Sequence, residues 1–424
     1  MNFRESESYL LSLGNEVSTM KLGLENIMTL LTALDSPESK YLKVQVAGTN
    51  GKGSVCAFLD SICVSAGIKT GTFTSPHLIS ITERVRIGGI DITEVEFARH
   101  ATVVRQTAEI LLGSGELEYL PTFFEQITAI ALFAFAEAKC EVAILETGLG
   151  GRLDATTAAN AEIAAITQID FDHQEYLGQT LSEIASEKAA IIHAESAVVV
   201  GGQNHEAGNL IRKRIADLGL EASLSDDVSV FSDGQTVRFQ TKRDIYEVAR
   251  LGLTGRHQLE NAKVAILLAE TLKSHFPISA ADIVSGLIDA RNPGRLERIG
   301  RFLLDGAHNP AGAAALREYL NEEFAGPITI VFGAMREKDI DAVAKQLFPR
   351  ASKLILTSPN NSRSMPPGEL ASQFAAGMPF DVVSVTDDVS AAIERALAVT
   401  PDDGIILITG SLYLVGEAKK ILNN

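Results

Sequence analysis

Leu42-Lys43-Val44-Gln45-Val46-Ala47-Gly48-Thr49-Asn50-Gly51-Lys52-Gly53-Ser54 is the stretch whose reading decides the fold. Leu42–Val46 is a short β-rich run. Glycines and a lysine follow, and then Val55, Phe58, Leu59, Ile62 and Cys63 recur at helical spacing. Strand, glycine turn, lysine and helix start together make an anion site. The backbone N–H groups of Thr49, Asn50, Gly51, Gly53 and Ser54 and the helix dipole are expected to hold phosphates, with Lys52 neutralising the terminal one. The stretch departs from the usual phosphate-loop pattern, which has Gly where Val46 stands and Ser or Thr where Gly53 stands. Taken alone, it also reads as a glycine turn with a surface lysine.

Outward from the loop, short apolar runs alternate with helical patterns. Strands are expected at Thr70–Thr74, Val142–Leu145, Ile163–Thr167 and Ala197–Val200, which predicts an α/β fold with a mostly parallel sheet. Residues 225–255 are more polar and alternate, as in Gln235–Arg243 and Ile245–Val248, so a small antiparallel β region is expected there. Ala290–Gly300 (ARNPGRLERIG) combines Pro293, Gly294 and dense charge and reads as a boundary. Beyond it, strands are expected at Phe302–Leu304, Ile328–Phe332, Lys353–Leu356, Asp381–Val385 and Ile405–Thr409. The expected organisation is a larger ATP-binding domain over 1–294 and a smaller, Rossmann-like α/β domain over 295–424. Ser358–Gly368, rich in Ser, Asn and Pro, reads as a flexible connection.

A chain of 424 residues exceeds what one core usually serves. Its formal charge of −17 repels phosphate backbones, so nucleic acid is not an expected partner. ATP needs only one or two placed cations and a set of N–H groups, and the acidic balance does not exclude it. The N-terminal MNFRESESYLLSLG lacks the apolar run of a signal peptide. The most apolar stretch, Ile127–Ala138, is shorter than the roughly twenty residues that span a bilayer. No membrane association is expected. Cys56, Cys63 and Cys140 form no metal-binding or redox spacing and read as reduced core residues, which fits a cytoplasmic location.

The loop GTNGKGS resembles that of the Mur ligase superfamily, and within it the folylpolyglutamate synthase/dihydrofolate synthase family. Further segments resemble family motifs in the family's order. They are Thr74-Ser75-Pro76-His77-Leu78, Glu83-Arg84-Val85, Leu145–Asp154 (LETGLGGRLD), Asp172-His173 and Glu187-Lys188-Ala189. His257-Gln258 with Asn261-Ala262, Pro293–Glu297 (PGRLE) and Asp305–Pro310 (DGAHNP) follow. The resemblance implies that ATP phosphorylates a carboxylate and that the amine of L-glutamate attacks the acyl phosphate. This is the chemistry of folate biosynthesis and polyglutamylation.

The resemblance nominates Ser75, Glu146, His173 and Lys188 as ligands of Mg²⁺, in two sites, with Lys188 carbamylated. Ser75, Glu146 and His173 each follow a predicted strand, and the carboxyl ends of parallel strands line one crevice. Read alone, Ser75 is a turn residue, His173 a structural histidine and Lys188 a surface charge. This chain has Ala190 where the family pattern has Gly. The resemblance implies that Asn261, Arg295 and Asp305 hold ATP, with Asn261 at the base. His308 is expected near the reacting groups, and its role is left open.

For the pterin end, the resemblance nominates Lys21, Leu22, Gly23 and Leu24, then Thr122, Phe123, Phe124 and Glu125, then Leu153, Asp154 and Ala155. The Phe pair reads as a stacking surface or as helix core, and Glu125 as an acceptor for the pterin. Gln126 stands where relatives often carry an aromatic residue. The acceptor is dihydropteroate, tetrahydrofolate or both. A Mur ligase acting on a UDP-sugar predicts an N-terminal nucleotide domain for which there is little room before Gly48, and a non-catalytic ATP-binding relative is the other alternative. The family-level expectation is a monomer whose domains close around the substrates.

Overall fold

The computed structural model describes residues 1–14, 23–233, 236–374 and 383–423. The chain divides into two compact units. The first comprises Met1–Ile169, Gln174–Gly252 and Leu259–Arg291, and the second Asp170–His173, Leu253–Gln258 and Asn292–Asn424. The division is therefore not a single cut near residue 294: two short segments from earlier in the chain group with the second unit.

In the first unit, among the described residues, the main sheet runs in the order Ile90–Asp91, Val85–Ile87, Thr70–Phe73, Val142–Glu146, Leu42–Ala47, Ile163–Ile166, Ala197–Val200, Ala222–Leu224. The strands from Thr70–Phe73 onward are parallel, and a short antiparallel hairpin closes the other edge. Leu42–Ala47 sits inside the sheet and is almost wholly buried, and its two polar residues are partnered: Lys43 pairs with Glu162 at 2.9 Å, and Gln45 Nε2 donates to Thr156 Oγ1 at 2.9 Å and Thr157 Oγ1 at 2.8 Å. Register levels the strand ends: Val46 lies opposite Glu146 and Ala165, and Phe73 opposite Leu145. The alternating region forms the antiparallel ribbon Ser229–Ser232, Val237–Gln240 and Ile245–Val248. Of the expected Gln235–Arg243 run, Gln235 lies outside the described residues.

The helix Lys52–Ser65 carries Cys56 and Cys63 in its buried face. On its outside, the helix Ala280–Asp289 crosses closely enough that a Cβ on Gly286 would stand 2.4 Å from the Ile62 Cα. Only glycine permits that approach. On the other flank, a larger cluster built around Phe97, Phe123, Ile127, Ile130 and Phe135 packs helices Glu94–Ser114 and Phe123–Glu137 against the sheet.

The second unit has its own core, including Leu303, Ile330, Phe332, Leu354 and Leu407. Among the described residues its sheet runs Glu297–Ile299, Phe302–Asp305, Ile405–Thr409, Ile328–Phe332, Lys353–Leu356, Val383–Val385, parallel except for the first strand. Asp381 and Val382 of the expected last strand lie outside the described residues. Ser358–Gly368 is not the flexible connection its composition suggests. Ser364 is buried, bridges to Met335 and donates to the Pro359 carbonyl at 3.0 Å, and the Arg363 guanidinium reaches Glu337 and the Tyr413 hydroxyl. No helix among the described residues is long and apolar enough to cross a membrane.

Candidate active site

The phosphate loop turns through Gly51, at φ 90°, into a helix whose first residue is Lys52. Gly48 must be glycine: a Cβ there would stand 1.8 Å from Thr167 Oγ1. The loop does not offer every N–H it was expected to offer. Those of Thr49 and Asn50 are directed at the Gln168 carbonyl, at 2.9 and 3.2 Å, because the strand ending at Ile166 continues alongside the loop. Lys52, Gly53 and Ser54 form the first turn of the helix, so its N-terminal end, the positive end of the helix dipole, lies at the phosphate turn. Asn261 abuts the loop: a Cβ on Gly51 would stand 2.2 Å from its Oδ1. The structure thus sets Asn261 against the phosphate turn.

Two ammonium groups converge on this loop. Lys52 Nζ donates to the carbonyls of Gly48 at 3.0 Å and Thr49 at 3.2 Å, and Lys188 Nζ donates to the same Gly48 carbonyl at 2.9 Å. Lys188 is buried near the end of the helix Leu181–Ala189 and is not a surface charge. The LETGLGGRLD loop docks on that helix end. A Cβ on Gly151 would meet the Glu187 carbonyl at 2.6 Å, Arg152 N donates to the same carbonyl, and Arg152 pairs with the Glu187 carboxylate at 3.0 Å.

Glu146 is the last residue of its strand and is buried, and its carboxylate accepts the Ser75 N–H at 3.2 Å. The segment carrying Ser75 is locked by the Glu83-Arg84 motif. The Glu83 carboxylate accepts from Leu78, Ile79 and Ser80 N–H, each at 2.8 Å, and Arg84 Nε donates to His77 Nδ1 at 2.8 Å. Ser75 and Glu146 are hard oxygen donors side by side, a set that fits Mg²⁺ or another small divalent cation. Among the described residues no group of three or more His, Cys, Asp and Glu side chains has the arrangement of a metal centre.

His173, at φ 50°, groups with the second unit. There it meets residues that sequence reasoning did not single out. Lys338 Nζ donates to Asp172 Oδ1 at 2.7 Å and lies 3.2 Å from His173 Nε2. Asp172 also receives Asn309 Nδ2 at 3.4 Å, with His308 Nε2 3.9 Å away. Burial works against the charged Asp172 carboxylate, but Lys338 and the two histidines hold it well below the usual range. His308 is pushed down to about 4 by burial, with Lys338 and Arg295 adding to the effect. Its Nδ1 faces the Gly306 carbonyl at 2.8 Å and therefore carries the proton, leaving Nε2 as an acceptor. Asp172 lay inside a recognised motif, but Lys338 sits in an Arg-Glu-Lys-Asp run that reads as solvated surface.

Asp305 ends its strand fully buried. Both oxygens are taken by the chain, Oδ2 by Leu296 N–H and Oδ1 by Ala307 N–H, each at 2.9 Å, so it braces two turns. Burial raises its pKa against the pull of Arg295, which stands beside it.

At the expected pterin segments, Lys21 and Leu22 lie outside the described residues. Gly23 and Leu24 lead into the helix Glu25–Ala33, where Leu24 packs on the core. Thr122 and Glu125 form a capping box: Thr122 Oγ1 accepts Glu125 N–H, and the Glu125 carboxylate takes Thr122 N–H and Oγ1–H at 2.8 Å. One Glu125 oxygen is thus committed to its own helix. Phe123 is core, under the Arg84 guanidinium. Phe124 is half-buried, 5.8 Å from the Phe73 centroid, and covers Gly148. Asp154 is buried and receives Gly148, Leu149 and Thr156 N–H, so it shapes the loop after Glu146; beside it Ala155 is buried and Leu153 half-buried. Gln126 is wholly buried, tied to the Tyr9 hydroxyl and the Pro121 carbonyl.

A phosphate turn at the end of an inner parallel strand, followed by a second parallel-sheet unit, is the construction of an ATP-dependent ligase. Residues 46–269 match the Mur ligase middle domain and residues 294–412 the Mur ligase glutamate ligase domain. The dihydrofolate synthase/folylpolyglutamate synthase of Bacillus subtilis is 36% identical, over 95% of this chain and 95% of that protein. The E. coli FolC structure, in complex with DHPP and ADP, matches at TM-score 0.89 with 27% identity, covering 100% of this chain and 98% of the other. A bifunctional folylpolyglutamate synthase/dihydrofolate synthase structure with Mn, AMPPNP and L-glutamate bound matches at TM-score 0.86 with 29% identity, covering 100% of this chain and 98% of the other. The chain belongs to the folylpolyglutamate synthase/dihydrofolate synthase family of Mur ligases.

Proposed function

We propose that this enzyme is an ADP-forming ligase that joins L-glutamate to dihydropteroate, to the γ-carboxylate of a folate, or to both. The observation that carries the reading is the placement of Lys52 Nζ at the Gly48 and Thr49 carbonyls, at the N-terminal end of the helix Lys52–Ser65, with buried Lys188 reaching the same Gly48 carbonyl. A lysine at the positive end of a helix makes an anion site. The family membership supplies the anion, a nucleotide phosphate.

In this reading a carboxylate oxygen of the acceptor attacks the γ-phosphorus of ATP and ADP leaves. The amine of L-glutamate then attacks the acyl carbon, expelling phosphate and losing a proton. Lys52 and the N–H groups of Lys52, Gly53 and Ser54 hold the phosphates in line. Ser75 and Glu146 would hold Mg²⁺, which when bound neutralises charge on the phosphoryl oxygens. A carbamate on Lys188 would complete the oxygen-rich ligand set. Lys188 is suited to that modification because its amine is buried at the loop, where a carbamate would present oxygens and not an ammonium. His308 presents an unprotonated Nε2 that can accept a hydrogen bond from the incoming amino acid. Phe124 and Leu153 offer the partly open apolar surface for the pterin.

The test is to incubate the protein with ATP, Mg²⁺, bicarbonate and L-glutamate, offering dihydropteroate and tetrahydrofolate separately, and to follow ADP release with product mass. Turnover with only one of them names the acceptor, and turnover with both makes the enzyme bifunctional. No ADP above a Lys52→Ala control with either acceptor would overturn the proposal.

A further inference from the structure

Neither the phosphate-loop pattern nor the family motifs include Gln203. This residue follows the strand Ala197–Val200 and precedes the helix His205–Asp217, on the far side of Ile163–Ile166 from the phosphate loop. Its single amide makes two hydrogen bonds to one neighbouring segment. Nε2 donates to the Thr167 carbonyl at 2.8 Å, and Oε1 accepts the Ile169 N–H at 3.0 Å. The polarity of the two partners fixes the amide in one orientation, and only a side chain with a donor and an acceptor satisfies both.

The residue bracketed by these bonds is Gln168. Its carbonyl is the one that receives the N–H groups of Thr49 and Asn50. Two further contacts tie the same segment to the loop. Thr167 N donates to the Ala47 carbonyl at 2.8 Å, and the Thr167 side chain fills the space that a Cβ on Gly48 would need. Asn204, while capping its own helix through Ala207 N–H, reaches the Ile169 carbonyl at 3.3 Å. The entry to the phosphate loop is therefore held from outside, through the backbone of residues 167–169, and Gln203 is the side chain that clamps both sides of the carbonyl concerned.

We infer that Gln203 is a positioning residue for the nucleotide phosphates: by fixing the Gln168 carbonyl it holds Thr49 and Asn50, and through them the turn that presents Lys52 at the helix start. The inference rests on the reading of Gly48–Ser54 as the nucleotide loop. If the clamp is released, the peptide of Gln168 is free to rotate, the loop entry loses its anchor, and phosphate binding weakens while groups elsewhere are untouched.

The experiment measures Mg²⁺–ADP affinity by titration calorimetry, with thermal unfolding in parallel, for the parent protein, Gln203→Met, Gln203→Glu and Lys52→Ala. Gln203→Met keeps the volume and removes both hydrogen bonds. Its ADP dissociation constant is expected to rise about tenfold, the equivalent of one to two lost hydrogen bonds. Gln203→Glu keeps the acceptor for Ile169 N–H but sets a carboxylate oxygen against the Thr167 carbonyl, and is expected to weaken ADP binding at least as much as Gln203→Met. KM for L-glutamate is expected to stay within about twofold in both, a split that general destabilisation does not produce. If either folded variant binds ADP as the parent does while Lys52→Ala is impaired, the positioning role is wrong and the loop reading stands. If Lys52→Ala binds ADP like the parent, the loop reading itself falls, and the inference with it.

Discussion

Lys188 is buried within 2.9 Å of a carbonyl that also receives Lys52, an arrangement that stores like charge beside a phosphate site. A carbamate on Lys188 would turn this repulsion into attraction. Activity is therefore expected to fall in buffer stripped of CO₂ and to return with bicarbonate; a rate indifferent to CO₂ would remove the carbamate from the proposal. A second buried base lies away from the site. His100 packs edge-on to Phe133 with Glu137 3.6 Å from its Nδ1. Burial lowers its pKa, Arg99 lowers it further, and Glu137 and Glu96 only partly oppose them. Between its ordinary value near 6.5 and the depressed folded value, the unfolded chain binds more protons than the folded one. Stability should thus be full above pH 6.5 and decline as pH falls below it, by at most about 1.4 kcal/mol per unit. Urea melts at pH 7 and pH 5.5 should show this decline, and His100→Phe should flatten it. Lys52 and Glu146 were legible in the sequence because each ends or follows an apolar strand. Lys338 was not, since its partners Asp172 and His173 stand far away in the chain and its neighbours are all charged. Glu125 has a second, local role: Thr-x-x-Glu before an apolar helix is a capping box, and that signal was present in the residues themselves.

The close crossing of Ala280–Asp289 over Lys52–Ser65 makes a sharp demand on one element. Gly286→Val must push the two helices apart and is expected to cost about 1–3 kcal/mol, read as a lower urea midpoint. Gly113→Ala, in an exposed helix position where a Cβ meets nothing within 4 Å, is expected to gain about 0.5–1 kcal/mol. Equal losses at both positions would show that glycine content, and not the crossing, sets stability. The expected parallel strands lie within a residue or so of the observed ones, because buried parallel strands are largely apolar runs bounded by turn signals, whereas the short edge strands Val85–Ile87, Ile90–Asp91, Ala222–Leu224 and Glu297–Ile299 were not expected. The turns between them were less readable. Ser358–Gly368 has the composition of a loose loop, yet buried Ser364 and the Arg363 contacts fix it, and such long-range partners leave no trace in local composition.

At the scale of the molecule, the chain forms two units with separate cores. A ligand held by the loop stabilises by mass action, so Mg²⁺–ADP at a hundredfold its dissociation constant is expected to add about 2.7 kcal/mol to unfolding of the first unit. Hydrogen exchange should report the protection across residues 48–56, and an unprotected loop would contradict the nucleotide site. The strand order has one more result, in time and not in space. Leu42–Ala47 lies between Val142–Glu146 and Ile163–Ile166, both of which leave the ribosome about a hundred residues later, roughly 5–20 s at ordinary rates of synthesis. For that interval the nascent chain carries an apolar strand with neither neighbour made, and the nucleotide loop at its end can have no shape until translation has passed residue 166.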